Sequence, residues 1–342
     1  ELDELMEKAD FITLHVPMTD KTHGILSRDA LAKTKKGVRI INCARGGLVD
    51  EAALADAIKS GHVAGAGFDV FEVEPATESP LFGLPNVVCT PHLGASTTEA
   101  QENVALQVAE QMSDYLMKGA VSNAINMPSI TAEEAPILKP FIRLADVLGS
   151  FAGQMTENPI KEIEILYDGV TSGMNTKALT SALLAGLIRP QVADVNMVSA
   201  PIMIKEKGVI VSEVKRDKTG VYDGYIKLTV TTEKQTRSVA GTVFSDGKPR
   251  FIQIKGINMD ADVGPNMIYI SNTDVPGMIG FMGTTLGNAK VNIANFQLGR
   301  DKEGGDAIAL LYVDGPVEQG VLDQLTANPA VKQAKPLVFN VD

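Results

Sequence analysis

Tryptophan is absent from the 342 residues, and aromatic residues make up only 5% of them. Platforms for stacking bases are therefore scarce. Positive charge is also in deficit: 31 Lys and Arg stand against 42 Asp and Glu, for a net charge of −11. That excludes a sequence-independent grip on nucleic acid, which needs a basic surface. Cysteine occurs only twice, at Cys43 and Cys89, which rules out a disulfide framework and fits a reducing cytoplasm. The longest apolar runs, around Ala182–Ile188 and Ala307–Val313, fall far short of a membrane span. No residues are assigned to a metal. The chain opens Glu1-Leu2-Asp3-Glu4-Leu5, without Met or signal peptide. It reads as entered inside a domain, and further residues are expected upstream.

What is present suggests an α/β protein. Over residues 1–95, strand-like runs alternate with short helical ones, the pattern of βαβ units and a parallel sheet. The strands are read at Phe11–Val16, Val38–Asn42, Ala64–Asp69 and Val87–Thr90. Helices are read at Leu2–Lys8, from Ser27 to about Thr34, and from Asp50 to Ser60. Residues 97–118 form an amphipathic helix, with Ala100, Val104, Val108, Met112 and Leu116 on one stripe and Gly119 at its end. Residues 124–265 read as an α+β region. Residues 266–342 read as βαββαβ, the final strand being Lys335–Phe339.

In parallel sheets, ligands sit beyond the carboxyl ends of the strands. Those ends carry His15, Arg45, Asp69 and His92. His92 follows a strand and precedes Gly94-Ala95-Ser96, which leaves room near the backbone. Arg45 sits beside Gly46 and Gly47, and its guanidinium can hold a carboxylate through two parallel hydrogen bonds. Glu74 alone is an ordinary loop charge. Together the three suit oxidation of a 2-hydroxy acid: a histidine takes the hydroxyl proton, a carboxylate steadies the imidazolium, and a cation holds the substrate. His23 and His62 read as surface or capping residues.

The segments His15–Pro17 with Thr22 and Gly24, Asn42–Gly47 with Val49–Glu51, Asp69–Pro75 and Pro91–Thr97 resemble those of the D-isomer-specific 2-hydroxyacid dehydrogenases. The spacing matches that family: 29 residues separate Arg45 from Glu74, and 18 separate Glu74 from His92. The resemblance implies a catalytic set of Arg45, Glu74 and His92. It implies NAD as cofactor, lined by His15, Val16, Pro17, Cys43, Ala44, Asp69, His92, Leu93, Gly94 and Ala95.

Within the family the chain resembles long members that carry an intervening domain and a small regulatory ACT domain. The implied layout is residues 1–95 as the C-terminal part of a Rossmann-like NAD-binding domain, 96–123 as a crossover helix of the substrate domain, 124–265 as the intervening domain and 266–342 as the ACT domain. The implied activity is oxidation of 3-phosphoglycerate to 3-phosphohydroxypyruvate in L-serine synthesis, in a cytoplasmic homo-oligomer. L-Serine is the implied effector, at Asn272, Asp274, Gly277 and Asn292. One feature departs from the pattern. The family's Gly-x-Gly-x-x-Gly phosphate turn is not found, and Gly65-Ala66-Gly67 lacks its third glycine. The turn is expected before residue 1, and the isolated chain is expected to be nearly inactive.

Other readings remain open. The chemistry fits another D-2-hydroxyacid dehydrogenase, and the tail fits an amino-acid-binding module without catalysis. Gly277, Gly280, Gly283 and Gly287 read as a close-packing helix face rather than a nucleotide loop. Lys205, Arg250 and Lys255 are candidates for an anion site, with solvated surface charge as the plainer reading.

Overall fold

The computed structural model describes residues 2–217 and 220–340. The chain forms two compact units, Glu1–Glu110 and Gln111–Asp342.

The first unit runs α1 (Leu2–Lys8), β1 (Phe11–Leu14), α2 (Arg28–Ala32), β2 (Val38–Asn42), α3 (Glu51–Lys59), β3 (Val63–Phe68), β4 (Val87–Cys89) and the start of α4 (Thr98–Lys118). The four strands form a parallel sheet in the order β1-β2-β3-β4. Apolar side chains close it: Ile12, Leu14, Val38, Ile40, Val63 and Phe68 are buried with Leu31 and Leu54 from the helices. The caps are local. Ser27 accepts from the Ala30 N–H, and Asp50 accepts from that of Ala53 at 2.8 Å, each worth about 1 kcal/mol. Gly61, at φ +75°, turns the chain out of α3. Strand β1 stops at Leu14, short of Val16: His15, Val16 and Pro17 are exposed, and a proline has no N–H for a ladder. Gly65 and Gly67 lie inside β3, where a Cβ on Gly65 would stand 2.7 Å from the Asn86 carbonyl. Gly65 thus serves a close backbone approach, whereas a Cβ on Gly67 would make only an ordinary contact with the Ile41 side chain at 3.9 Å. The expected helix α4 is present, but none of its residues is buried, and Val104, Val108, Met112 and Leu116 are exposed.

The second unit opens with α5 (Ala135–Met155), β5 (Ile160–Gly169), α6 (Thr176–Ile188), α7 (Ser199–Glu206), β6 (Ile210–Arg216), β7 (Gly224–Thr232), β8 (Thr236–Val243), β9 (Pro249–Ile254) and β10 (Ile257–Asp262). Its sheet has the order β10-β9-β8-β7-β5-β6, with only β5 and β6 parallel. Helices α5 and α6 cross with almost no side chain between them. A Cβ on Gly149 would lie 2.0 Å from the Leu183 carbonyl oxygen, and one on Gly186 would lie 2.2 Å from that of Asp146.

The chain then runs β11 (Asn266–Thr273), α8 (Met278–Asn288), β12 (Ile293–Arg300), β13 (Asp306–Val313), α9 (Gln319–Thr326) and β14 (Val331–Val338). The βαββαβ order is as expected, with strand order β12-β13-β11-β14. The last strand begins at Val331, not Lys335, and ends before Phe339. Alternation along β11 splits its faces. Ile268 and Ile270 join α8 and α9, whereas Met267 and Tyr269 join the core beneath the six-stranded sheet. Phe151, Phe251, Tyr269 and Phe339 meet there, with ring centroids 5.3–6.1 Å apart. The expected close packing at Gly280, Gly283 and Gly287 is not found: a Cβ at each would meet nothing within 4 Å. That role falls to Gly149, Gly153 and Gly186.

Candidate active site

The carboxyl ends of β1–β4 deliver the candidate residues to one edge of the parallel sheet. His15–Pro17 follow β1, Cys43–Arg45 follow β2, Asp69 follows β3, and His92–Ala95 lie just beyond β4. His92 Nδ1 lies 2.7 Å from Glu74 Oε2. The other carboxylate oxygen, Oε1, accepts the Phe71 N–H at 2.9 Å, so Glu74 is aimed from both sides. The hydrogen bond with His92 does most to hold the Glu74 carboxyl below its ordinary range. A carboxylate at Nδ1 leaves the proton there and presents Nε2 as the working nitrogen. His92 itself stands at φ +58°, a region few non-glycine residues adopt.

Asp69 is buried and ties the turn after β4 to the end of β3. Its Oδ1 accepts from the Thr90 hydroxyl and the Leu93 N–H, both at 2.6 Å, and Oδ2 accepts from the Gly94 N–H at 2.9 Å. Burial pushes the carboxyl up, but these donors and the His92 charge together outweigh it, and it lies below its ordinary range.

Three further residues position the site. Asn42, buried at the end of β2, donates to the Arg45 carbonyl at 2.9 Å and accepts from the Ala44 N–H at 3.2 Å. A Cβ on Gly46 would stand 1.8 Å from the Phe71 carbonyl oxygen, so Gly46 sets the arginine loop directly against the loop of Glu74. Glu51 accepts from the Glu72 N–H at 2.8 Å and the Ser79 hydroxyl at 2.6 Å, clamping the same loop. In the sequence Asn42 carries no role and Gly46, with Gly47, reads as room for a substrate beside Arg45; the fold instead sets Gly46 against the Phe71 carbonyl and reveals the reach of Glu51.

Beside His92 lies a pocket of about 410 Å³, walled by Phe71, Pro75, Phe82, Cys89 and Pro91, with Glu74 at its edge. Arg45 does not line it. Its guanidinium is exposed, donates to the Ala44 carbonyl at 2.6 Å and makes no ion pair among the described residues. The nearby carboxylates are otherwise engaged: Asp50 caps α3 and Glu51 clamps the Glu72–Ser79 loop. His15 meets the Thr13 hydroxyl at 3.0 Å, and Cys43 is exposed. His62 bonds the Leu31 carbonyl at 3.0 Å, a structural role.

A second pocket, about 540 Å³, lies between β11, the start of α8 and β12. Asn272, Asp274 and Gly277 line it, with Arg300 and Gly304. Arg300 pairs with Asp274 at 2.7 Å and is the chief cause holding its carboxyl below the ordinary range. Gly277 stands at φ +89° at the head of α8. Asn292 is not among the lining residues; it donates to Asp314 at 2.8 Å. Lys205, Arg250 and Lys255 do not form one anion site. Arg250 is held by Asp262 at 2.7 Å, Lys255 lies over the Tyr269 ring, and Lys205 lies in the last turn of α7. No helix is long and apolar enough to cross a membrane among the described residues.

Residues 1–94 match the NAD binding domain of the D-isomer specific 2-hydroxyacid dehydrogenases, and residues 137–255 match the intervening domain of D-3-phosphoglycerate dehydrogenase. The chain is 42% identical over 334 residues to the D-3-phosphoglycerate dehydrogenase of Bacillus subtilis, covering 97% of this chain and 64% of that one. It is 38% identical over 333 residues to the enzyme of Methanocaldococcus jannaschii, covering 97% and 63%. The match to the Synechocystis enzyme is also 38%, over 336 residues, covering 98% and 61%. The chain thus spans a little under two thirds of the length of these relatives. Both segments and the intervals between Arg45, Glu74 and His92 agree in making the chain similar to the D-3-phosphoglycerate dehydrogenases and, over residues 1–94, to the D-isomer specific 2-hydroxyacid dehydrogenases.

Proposed function

We propose that the chain carries the acid/base half of an NAD-dependent enzyme that oxidises 3-phosphoglycerate to 3-phosphohydroxypyruvate. The observation that carries this reading is the 2.7 Å contact between Glu74 and His92 Nδ1. It fixes the imidazole with Nε2 available to take the substrate hydroxyl proton. Glu74 then stabilises the imidazolium so formed. Arg45, exposed and without a carboxylate partner among the described residues, supplies the fork for the substrate carboxylate and polarises the adjacent carbon. Residues 15–17, 43–44, 69 and 93–95 fit the nicotinamide side of the cofactor, since they are strand-end loops on one edge of a parallel sheet and Asp69 fixes the turn at 93–94. When bound, NAD accepts the hydride. The two free cysteines fit a cytoplasmic setting.

Residues 266–342 we assign as an ACT domain that takes L-serine. The Asp274–Arg300 pair supports this, because it offers one charge to the ammonium and one to the carboxylate of a zwitterion. Edge-to-edge pairing of such domains would make the enzyme a homo-oligomer and bring Asn292 to a ligand from a second subunit.

The test follows NADH loss in the full gene product with 3-phosphohydroxypyruvate, pyruvate and 2-oxoglutarate, each with and without L-serine. Preference for the phosphorylated substrate, suppressed by serine, is expected. Activity on another 2-oxo acid without serine response would keep the chemistry and discard the substrate and effector. Asp274→Ala is expected to abolish serine inhibition and spare turnover; unchanged inhibition would remove Asp274 from the effector site.

A further inference from the structure

The six-stranded sheet of the second unit ends differently at its two sides. On one side β10 lies against β12: a Cβ on Gly299 would stand 2.5 Å from the Asn258 carbonyl oxygen. On the other side β6 is hydrogen-bonded to β5 alone among the described residues. Every residue of β6 except Ser212 is exposed, so neither face of the strand is covered. Ile210, Val211 and Val214 are the apolar side chains among them. The ladder with β5 runs from Ile210 to Arg216 without a register shift, and the strand holds no proline. A bare, regular edge of this kind is a template for another strand.

The charges along the strand select the partner. The register with β5 places Val211, Glu213 and Lys215 beside Ile163, Ile165 and Tyr167, on the face that carries α6. There the Thr180 hydroxyl donates to Glu213 Oε1 at 2.5 Å. Ser212, Val214 and Arg216 share the other face. Arg216 is folded back onto Asp168 of its own sheet. Glu213 Oε2 and the Lys215 ammonium have no ion-pair partner among the described residues. When two copies of β6 meet antiparallel about a two-fold axis at Val214, Glu213 of each copy faces Lys215 of the other. An axis at Glu213 or at Lys215 would instead set two like charges opposite each other, which destabilises a strand pair. An axis at Ser212 would leave Glu213 and Lys215 opposite Val211 and Val209.

We propose that β6 is a self-association edge. A second copy of this chain adds its own β6 antiparallel, centred on Val214, so that two six-stranded sheets continue as one. The surface is distinct from the edge pairing assigned above to residues 266–342, and it does not depend on the proposed reaction. Its contact area is small, so the association depends on concentration.

The test uses the full chain carrying Val214→Cys. Residues directly opposite in an antiparallel pair have Cα atoms about 4.5–5.5 Å apart, within the span of a disulfide. Mild oxidation should therefore link two copies, with the bond between the introduced thiols located by peptide mass spectrometry. The parent chain, oxidised alongside, controls for Cys43 and Cys89. Ser212→Cys should form no bond at that position, because its two copies would stand about 13 Å apart along the strands. In the Val214→Cys chain, adding Glu213→Lys or Lys215→Glu should slow cross-linking by roughly 2–30-fold, since both cross-strand pairs become repulsive. Adding the two together should restore the rate, which a merely structural effect of either would not do. No bond at position 214, a bond at Ser212→Cys instead, or single charge variants that cross-link as fast as their parent would each overturn the assignment.

Discussion

Asp69 pays for its burial with three hydrogen bonds, and their balance sets a prediction about acid. Its carboxyl titrates below the unfolded value of about 3.9. A lowered folded-state value means the contribution is complete above the unfolded value and is lost as pH falls through the folded one. Asp69→Asn should therefore be less stable near neutrality by about 1–3 kcal/mol. The gap from the parent should close below about pH 4, as read from urea midpoints across pH. A gap that persists at low pH would assign the loss to packing instead. At this scale the sequence displays the reacting groups, because Arg, Glu and His at strand ends announce a chemistry. It does not display what holds them. Glu51 acts on Glu72 and Ser79, and Gly46 matters through the Phe71 carbonyl. Those relations exist only once α3 and the following loop are folded together.

Among the elements, the contrast between two sets of glycines is instructive. Gly280, Gly283 and Gly287 recur along one helix yet leave open space, whereas Gly149, Gly153 and Gly186 admit the carbonyls of a neighbouring helix. Spacing along a chain cannot say which glycine face meets a partner. Gly149→Ala should cost roughly 1–3 kcal/mol or more, since the obstacle is backbone and cannot swing aside. Gly280→Ala, in an open helix interior, should be neutral or stabilising by up to about 1 kcal/mol. Chemical denaturation of both variants checks the pair; equal effects would contradict the close crossing of α5 and α6. Helix α5 is hard to read although its start is written in the sequence. Thr131 and Glu134 form a reciprocal capping box, each accepting from the other's N–H at 3.1–3.2 Å. Pro136 and Pro140 obscure it, because proline normally marks an interruption. Strand β14 reads as starting late because Lys332 and Gln333 interrupt its apolar pattern and its middle is only half-buried.

Across the second unit, the aromatic group of Phe151, Phe251, Tyr269 and Phe339 joins elements far apart in sequence into one core. A sequence divided near residue 265 gives no hint that Met267 and Tyr269 belong with the preceding sheet. Phe251→Ala should cost about 3–5 kcal/mol. It should also speed amide exchange in both β7 and β11, because the lost ring supports both sheets. Faster exchange confined to β7 would show that the two sheets open independently. The parallel sheet of the first unit was legible almost throughout, since its buried strands are short apolar runs between clear caps and turns.

The central claim is that His92, held by Glu74, moves the proton in the proposed oxidation. The most direct measurement is kcat for reduction of 3-phosphohydroxypyruvate by His92→Gln in the full gene product, with NADH affinity measured alongside. A fall of about 10²–10⁴-fold with NADH binding preserved is predicted. A variant that turns over within a few-fold of the parent would contradict the account.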